Sequence, residues 1–190
     1  MRPSTEANLP SSAGLTYEDY LQLPENGGTR YEILDGDLAV TPSPTTVHQE
    51  VLLNLFRILD RHVQERSLGK IFLAPTDVIL AETSIVLPDL LFVASARSSI
   101  IKRRAVEGPP DLIVEVLSRK TSKRDRDTKL KLYARYGVAH YWIVHPDARW
   151  MELHENAGGA FRVASRIEGL GIARPSLFPE LEIHLREVWP

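Results

Sequence analysis

The sequence contains no cysteine among its 190 residues. A chain without thiols has no disulfide framework, no cysteine nucleophile and no thiolate metal ligand. The absence fits a reducing compartment, and we expect a cytoplasmic protein. Apolar runs of membrane-spanning length are also missing, and the first residues lack the apolar core of a signal peptide. These absences argue against a membrane protein and against a secreted one.

The composition is typical of one globular domain, with 43% hydrophobic and 25% charged residues. We expect residues 1–14, which are rich in Pro and Ser, to form a flexible tail, and residues 15–190 to form a single domain. The formal net charge of −2 gives no general preference for nucleic acid. Positive charge is nevertheless concentrated in two segments, because residues 119–131 carry seven Lys or Arg against two Asp, and residues 97–104 carry four and no acid. This distribution permits a local nucleic-acid interface, although a solvated helix face with salt bridges is the commoner explanation.

Periodicity and turn residues predict the first half of the fold. A short helix is expected to begin after Thr16, with Asp19 as its capping-box partner. A hairpin is expected around the Asp35-Gly36 dipeptide. Apolar residues spaced by three and four predict a long amphipathic helix over residues 46–66, with Gly69 as its C-terminal cap.

The remaining elements predict a mixed α/β (α+β) fold. The β-rich runs KIFLA, DVILA and IVLPDLLFVA are expected to be strands, the last of them kinked or on an edge at Pro88. A buried strand over 111–117, a helix over 122–136, a strand over 140–144 and a terminal hairpin over 149–167 follow. This order predicts a central sheet flanked by helices.

Two carboxylates interrupt apolar runs that are typical of buried strands. Glu115 lies in PDLIVEVLS at residues 110–118, and Asp89 lies in IVLPDLLFV at residues 85–93. An ionised carboxylate in such a run is costly unless it is paired, hydrogen-bonded or bound to a metal. Two acids on adjacent strands form a minimal site for a hard cation such as Mg²⁺, which prefers oxygen ligands and can activate a water molecule.

Lys129 is a third candidate. On a helix that begins at Ser122, the side chains of Asp125, Lys129 and Tyr133 share one side. The ordinary explanation is a solvated i,i+4 ion pair between Asp125 and Lys129, which contributes only about 0.2–0.5 kcal/mol. The functional alternative places the ammonium group beside a scissile phosphate, where it stabilises developing negative charge. We expect the aromatic residues of this region to pack in the core rather than to stack on bases.

Ordered blocks of the chain resemble the Uma-two family of endonucleases, which belongs to the PD-(D/E)xK restriction-endonuclease-like superfamily. The blocks are RYEILDGDL at 30–38, the PSP that follows it with His48, PDLLFV at 88–93, PDLIVEVLS at 110–118 and KRDRDTKLKLYARYGVAHYWIVHP at 123–146. The resemblance extends from about Thr16 to the C-terminus. It implies a restriction-endonuclease-like core in which Asp89 and Glu115 bind Mg²⁺ or Mn²⁺.

The resemblance also assigns roles to other residues. The usual lysine of the superfamily lies two residues after the glutamate, where this chain has Leu117. The resemblance suggests that Lys129 enters the site from the neighbouring helix instead. It implies that Glu32 is an additional acid near the metal and that His48 lines the same cleft. From the residues alone, Glu32 could equally be an exposed strand position paired with Arg30, and His48 could cap the long helix or pack beneath it.

Two main hypotheses of function follow. In the first, the protein is a metal-dependent endonuclease that hydrolyses phosphodiester bonds in DNA, with Asp89 and Glu115 on the metal, Glu32 assisting and Lys129 stabilising charge. Basic residues would then contact DNA phosphates, namely Lys102, Arg103, Arg104, Lys120, Lys123 and Arg124. In the second, the domain is catalytically inactive and binds nucleic acid or a protein partner. A homodimer through the terminal hairpin is a further expectation.

Overall fold

The computed structural model describes residues 14–24, 29–41, 43–118 and 122–190. The predicted tail at residues 1–14 lies outside this part of the chain, except for Gly14. The helices and strands follow in the order α1 (Tyr17–Tyr20), β1 (Arg30–Leu34), β2 (Asp37–Thr41), α2 (Thr46–Glu65), β3 (Gly69–Leu73), β4 (Asp77–Ala81), β5 (Ser84–Val86), β6 (Leu90–Ala94), β7 (Ala105–Glu107), β8 (Leu112–Val116), α3 (Ser122–Arg126), α4 (Thr128–Arg135), β9 (His140–His145), β10 (Trp150–Asn156), β11 (Phe161–Glu168), β12 (Ile172–Ala173) and β13 (Ile183–His184). Short 3₁₀ helices cover Ser95–Ile100 and Leu185–Glu187.

The strands form two large sheets and a two-stranded ribbon. The five-stranded sheet has the order β2-β1-β5-β4-β7, and the six-stranded sheet has the order β11-β10-β9-β8-β6-β3. Within the large sheets, β4 and β7 are parallel, as are β8 and β9, and the other pairs are antiparallel. The mixed α+β class, with sheets flanked by helices, is therefore confirmed. The strands are divided between two sheets, where a single central sheet was expected.

The division between the sheets occurs inside the run IVLPDLLFVA. This run was predicted as one strand, and it separates into β5, which pairs with β1 in the five-stranded sheet, and β6, which pairs with β3 and β8 in the six-stranded sheet. Pro88 lies at the break, where it has no N–H to donate to a ladder. Asp89 consequently lies at the junction of the two sheets.

The first half of the chain forms the predicted local elements. The capping box of Thr16 and Asp19 is present at α1, with the Thr16 N–H donating to Asp19 Oδ2 at 2.9 Å. The hairpin of β1 and β2 turns at Asp35 and Gly36, which both have positive φ, at 54° and 89°. Positive φ at both positions is the geometry of a two-residue turn whose twist matches that of the strands.

The long helix α2 is confirmed, but the prediction that Gly69 caps it is wrong. The left-handed residue after the helix is Ser67, with φ of 51°, and the Leu68 N–H donates to the Val63 carbonyl at 3.0 Å. Gly69 is instead the first residue of β3, where a Cβ atom would lie 2.1 Å from the Val93 carbonyl oxygen. Gly69 is needed for the close approach of β3 and β6.

Substitution of Gly69 by Ala should therefore lower the free energy of unfolding by about 1–3 kcal/mol, the usual cost of overpacking. The clash is with backbone, which cannot move aside without disturbing the β3–β6 ladder. Urea unfolding followed by tryptophan fluorescence measures the change. Lys70→Ala is the control, because Lys70 is exposed in the same strand and its replacement should alter stability by less than about 0.5 kcal/mol. An unchanged midpoint for Gly69→Ala would show that the two strands can separate without cost.

The predicted helix over 122–136 is also wrong in one respect, because it is interrupted. α3 ends at Arg126, and α4 begins at Thr128 after Asp127, which has φ −126° and ψ −69°. Asp125, at the end of α3, and Lys129, in the first turn of α4, still lie 3.8 Å apart. The break therefore preserves the predicted side on which the acid and the lysine meet.

The two faces of the six-stranded sheet are covered by different elements. α2 and the C-terminal segment pack on the face that carries Val114 and Val116. α4 and strands of the five-stranded sheet pack on the opposite face, which carries Ile113. Since side chains alternate along a strand, Glu115 lies on the α4 side with Ile113, as predicted. The acid is thereby placed in the layer between the two sheets.

The terminal hairpin of β10 and β11 is confirmed, and most residues of β11 are exposed at the edge of the six-stranded sheet. Dimerisation through this hairpin stays a prediction. Among the residues that the structure describes, no helix is long and apolar enough to span a membrane.

Candidate active site

Five of the predicted site residues line one cavity of about 480 Å³. These residues come from the first turn of α2, the junction between β5 and β6, the end of β8, and helices α3 and α4. They are His48, Asp89, Glu115, Arg124 and Lys129. The cavity lies where the two sheets meet, so that side chains far apart in the sequence surround a common space.

The ammonium group of Lys129 is the centre of the polar network. Its Nζ atom lies 2.8 Å from Glu115 Oε1 and 2.8 Å from Glu32 Oε1. Lys129 is only 3% exposed, so the explanation of a solvated i,i+4 pair with Asp125 is wrong. Burial alone would lower the pKa of Lys129, but the carboxylates around it raise that pKa well above the ordinary 10.5. Lys129 is therefore a buried, charged lysine that ties the six-stranded sheet to the five-stranded one.

Glu115 is held in place by two donors. Lys129 Nζ and the Tyr133 hydroxyl donate to the same oxygen, Oε1, at 2.8 and 2.9 Å. Burial raises the pKa of Glu115 well above the ordinary 4.5; the charge of Lys129 opposes this, whereas nearby acids, Asp89 first among them, add to it. An ionised Glu115 consequently depends on Lys129 or on another cation.

Tyr133 was predicted as core packing, and it is fully buried, but its hydroxyl is also part of the site. Tyr133→Phe should lower the free energy of unfolding by about 1.5–3 kcal/mol, because the lost hydrogen bond goes to a charged group. Tyr141→Phe is a matched comparison, since the equally buried Tyr141 hydroxyl donates to a neutral acceptor, the Asp125 carbonyl, at 3.0 Å. That variant should lose only about 0.5–1.5 kcal/mol. Equal losses in urea unfolding would argue that Glu115 is uncharged in the folded protein.

Asp89 is fixed by two contacts at one oxygen. The Val116 N–H donates to Oδ2 at 2.9 Å, and His48 Nε2 lies 3.0 Å from the same atom. In the β6–β8 ladder Leu90 is paired with Val114, and continuing this antiparallel register places Asp89 opposite Glu115. The two acids thus come from adjacent strands, as expected.

His48 occupies the first turn of α2, next to Asp89. Both alternatives considered for it contribute, because its N–H donates to the side chain of the N-cap Thr45 at 3.2 Å and its ring is 7% exposed. A carboxylate only accepts, so Nε2 is the donor towards Asp89. Nδ1 is buried and has no hydrogen-bond partner among the described residues. His48 thus orients Asp89 at the cavity.

Glu32 lies behind Lys129, outside the cavity lining. It is 1% exposed, and Oε1 accepts from the Leu87 N–H at 2.9 Å in addition to contacting Lys129. Its other oxygen accepts from the Thr41 hydroxyl at 3.2 Å. The alternative of an exposed strand residue paired with Arg30 is therefore wrong. Both oxygens of Glu32 are engaged, so its contact with the site passes through Lys129.

Comparison with known proteins identifies the family. The family model of Uma2, described as “Putative restriction endonuclease”, matches residues 17–186. The chain belongs to the Uma2 family. An uncharacterized protein of Synechocystis sp. is 27% identical over 152 residues, which span 72% of this chain and 85% of that protein. A crystal structure from Anabaena variabilis, described as a putative nuclease belonging to DUF820, superposes with a TM-score of 0.76 at 16% identity, over 92% of this chain and 97% of that one. At this identity, the crystal structure supports the fold.

The Uma2 site has a donor set that suits a hard divalent cation. Asp89 and Glu115 both line the cavity, and their second oxygens, Oδ1 and Oε2, accept no hydrogen bond from any residue that the structure describes. Two carboxylate oxygens supplemented by water are a usual Mg²⁺ environment. Within the described residues, no cluster of three or more His, Asp or Glu is placed to hold a metal. The two acids would therefore hold a metal largely completed by water and substrate.

The predicted phosphate-binding residues are dispersed in this Uma2 protein. Lys102, Arg103 and Arg104 are exposed before β7, and none of them lines the cavity. Lys120 lies outside the described residues, and Lys123 is exposed on α3.

Arg124 does line the cavity, but its guanidinium donates to the Thr41 hydroxyl at 2.8 Å and the Val40 carbonyl at 3.3 Å. This side chain thus connects α3 to the β1–β2 hairpin.

Sequence reasoning missed several residues of the Uma2 cavity. Arg30, Val47 and Leu87 line it, together with Thr41 and Thr45. No local pattern distinguishes these positions, because the cavity forms only when the hairpin, the start of α2 and the ends of the strands come together. The signal for Tyr133 was available, since it lies four residues after Lys129 on the same side of a helix.

Proposed function

We propose that this Uma2 protein hydrolyses phosphodiester bonds in DNA and uses Mg²⁺ or Mn²⁺ as its cofactor. The observation that supports the proposal is the convergence of two carboxylates from adjacent strands and a buried, charged lysine at one cavity. Lys129 reaches Glu115 from α4, which compensates for the leucine at position 117, where the superfamily usually has its lysine. The family description as a restriction endonuclease agrees with this chemistry.

Each residue has a distinct role in this proposal. Asp89 and Glu115 would hold the metal, which when bound supplies an activated water molecule and neutralises charge on the phosphodiester. Lys129 has three N–H donors, of which Glu115 and Glu32 engage two, so one is left for a phosphoryl oxygen of the substrate. An ammonium group positioned in this way stabilises negative charge that develops in the transition state. Glu32 and Tyr133 act as positioning residues.

Cleavage of supercoiled plasmid DNA and of end-labelled oligonucleotides tests the proposal directly. We expect cleavage in Mg²⁺ or Mn²⁺ and none after treatment with EDTA. Calorimetric titration of the metal-free protein should show uptake of Mn²⁺. Failure to cut any DNA in either metal, by protein that binds the metal, would overturn the assignment to DNA hydrolysis.

A second candidate function is a domain that binds nucleic acid or a protein partner without cutting. One observation favours it: Glu115 Oε1 is already bonded to both Lys129 and Tyr133, so the carboxylate has a partner without any metal. In that case the acids and the lysine form a structural network. Calorimetry separates the two functions, because DNA binding without any uptake of Mg²⁺ or Mn²⁺ supports the second.

A further inference from the structure

We infer that the cavity accepts an unpaired segment of DNA rather than an intact duplex. The inference rests on the proposed function and specifies its substrate class. It comes from three independent properties of the cavity: its depth, the charge of its lining and its apolar wall.

The reactive groups are deeply recessed. Asp89, Glu115 and Lys129 are 8%, 4% and 3% exposed, so a phosphodiester must descend into the cavity to reach them. A cavity of about 480 Å³ falls within the range of pockets that enclose one small molecule, which is also the scale of a single nucleotide. A DNA duplex is a stiff rod over such short lengths and cannot bend one phosphate into a recess of this size. A single strand is flexible and can insert one nucleotide.

The charge of the lining also disfavours a duplex. The lining has more acids than bases, namely Asp89, Glu115, Asp125 and Asp147 against Arg30, Arg124 and Lys129. A duplex carries one negative charge per about 1.7 Å of its axis, whereas one strand carries a charge only every 3.4 Å or so. The exposed basic residues at Lys102–Arg104 do not line the cavity and cannot offset repulsion within it. The lower charge density of an unpaired strand is therefore the better match.

An apolar wall lies beside the acids. Val47, Leu87 and Leu117 line the same cavity as Asp89 and Glu115. Val47 is 40% exposed in the first turn of α2, where an apolar side chain gains little unless something covers it. The face of a nucleobase is a suitable apolar surface, and it is accessible only when the base is unstacked. We assign this wall to the base of the inserted nucleotide.

Fluorescence anisotropy in EDTA tests the inference without any cleavage. The same labelled DNA sequence is offered as a single strand, as a full duplex and as a duplex with a central unpaired bubble. We expect the single strand and the bubble to bind at least about tenfold more tightly than the duplex, and this preference corresponds to a free-energy difference of about 1.4 kcal/mol. Equal or tighter binding of the duplex would overturn the inference. Tighter binding of the RNA strand of the same sequence would overturn the assignment to DNA.

Val47→Ser tests the apolar wall. It should weaken single-strand binding on the order of fivefold, because less apolar surface is buried against the base. Leu53→Ser is the matched control, since Leu53 lies on the same helix with a similar exposure of 42% and does not line the cavity. Circular dichroism verifies that both variants fold. Equal affinities for Val47→Ser, Leu53→Ser and the unmodified protein would remove the apolar wall from the binding site.

Cleavage assays in Mg²⁺ with the same three DNA forms separate this inference from the proposed function. Equal rates on duplex and single strand would refute the inference and leave the nuclease intact. Absence of cleavage on every form, with binding that still prefers the unpaired strand and depends on Val47, would refute the nuclease and leave the cavity as a single-strand binding site.

Discussion

Replacement of Lys129 by methionine should lower the free energy of unfolding by about 3–5 kcal/mol at pH 8, the usual cost of removing one partner from a buried ion pair. Glu115 and Glu32 each lie 2.8 Å from the ammonium group, and both would be left buried without their cation. Methionine preserves much of the aliphatic volume, so the loss reports charge rather than packing. Urea unfolding of metal-free protein, followed by fluorescence of the buried Trp142, measures the effect.

The same helix supplies a matched control for this prediction. Lys131 pairs with Asp127 at 2.6 Å in the same i,i+4 arrangement, but its side chain is 76% exposed. Lys131→Met should therefore change stability by no more than about 0.5 kcal/mol. A small loss in both variants would contradict the central role of Lys129. Combining Lys129→Met with Glu115→Gln should restore part of the loss, because the second change removes one unpaired charge.

The deficit of Lys129→Met should also depend on pH. Burial raises the folded-state pKa of Glu115 above its ordinary 4.5, so its contribution to stability is fully present below 4.5 and is lost as pH rises through the raised pKa. Lys129 opposes that rise in pKa, and its removal extends the rise. The variant should therefore be weakest at alkaline pH and approach the unmodified protein as the medium becomes more acidic. A deficit that does not change between about pH 8 and pH 5 would contradict this account.

Asp89→Asn and Glu115→Gln should each reduce DNA cleavage by at least about a hundredfold, since partners of metal ligands already contribute about 10–100-fold and these acids are the proposed ligands themselves. The amides keep the shape of each side chain but lack the charge that holds a divalent cation. Calorimetry should show weaker binding of Mn²⁺ in parallel with the loss of cleavage. Cleavage that survives in both variants would remove these acids from the active site.

Glu152→Gln is the control for replacement of a buried acid. Glu152 is 7% exposed and contacts His154 at 3.2 Å and Arg166 at 2.7 Å, and it does not line the cavity. This variant should retain cleavage and metal binding. A loss of cleavage there equal to that of Asp89→Asn would indicate a general effect on folding rather than on the site.

Local patterns predicted the elements whose stability is local. The capping box of α1, the Asp35-Gly36 turn and the apolar side of α2 depend on residues within one or two turns of each other, and all three are present. The alternation of side chains along β8 placed Glu115 correctly on one face. The pairing of Asp89 with Glu115 could be anticipated because each acid interrupts an apolar run that needs a partner strand.

The errors have physical reasons of the same kind. Gly69 has the composition of a helix cap, but its conformation is decided by β6, against whose backbone it packs. The run from Ile85 to Ala94 reads as one strand, and only pairing with β1 and β8 shows that it serves two sheets. The basic segment at Lys102–Arg104 is adjacent to the acids in sequence order, yet the chain places it away from the cavity.

The sequence by itself determined the family, the mixed fold and the two acids that need a charged or metal partner, because these depend on residue order and on the cost of burying a carboxylate. Only the tertiary structure decided the state of Lys129. From spacing it was one member of a surface pair with Asp125, and its 3% exposure results from the packing of α4 between two sheets. The contacts with Glu115 and Glu32 join elements distant in the chain, and no local pattern encodes them. The depth and apolar wall of the cavity were decided in the same way, by the meeting of α2, the hairpin and the strand ends.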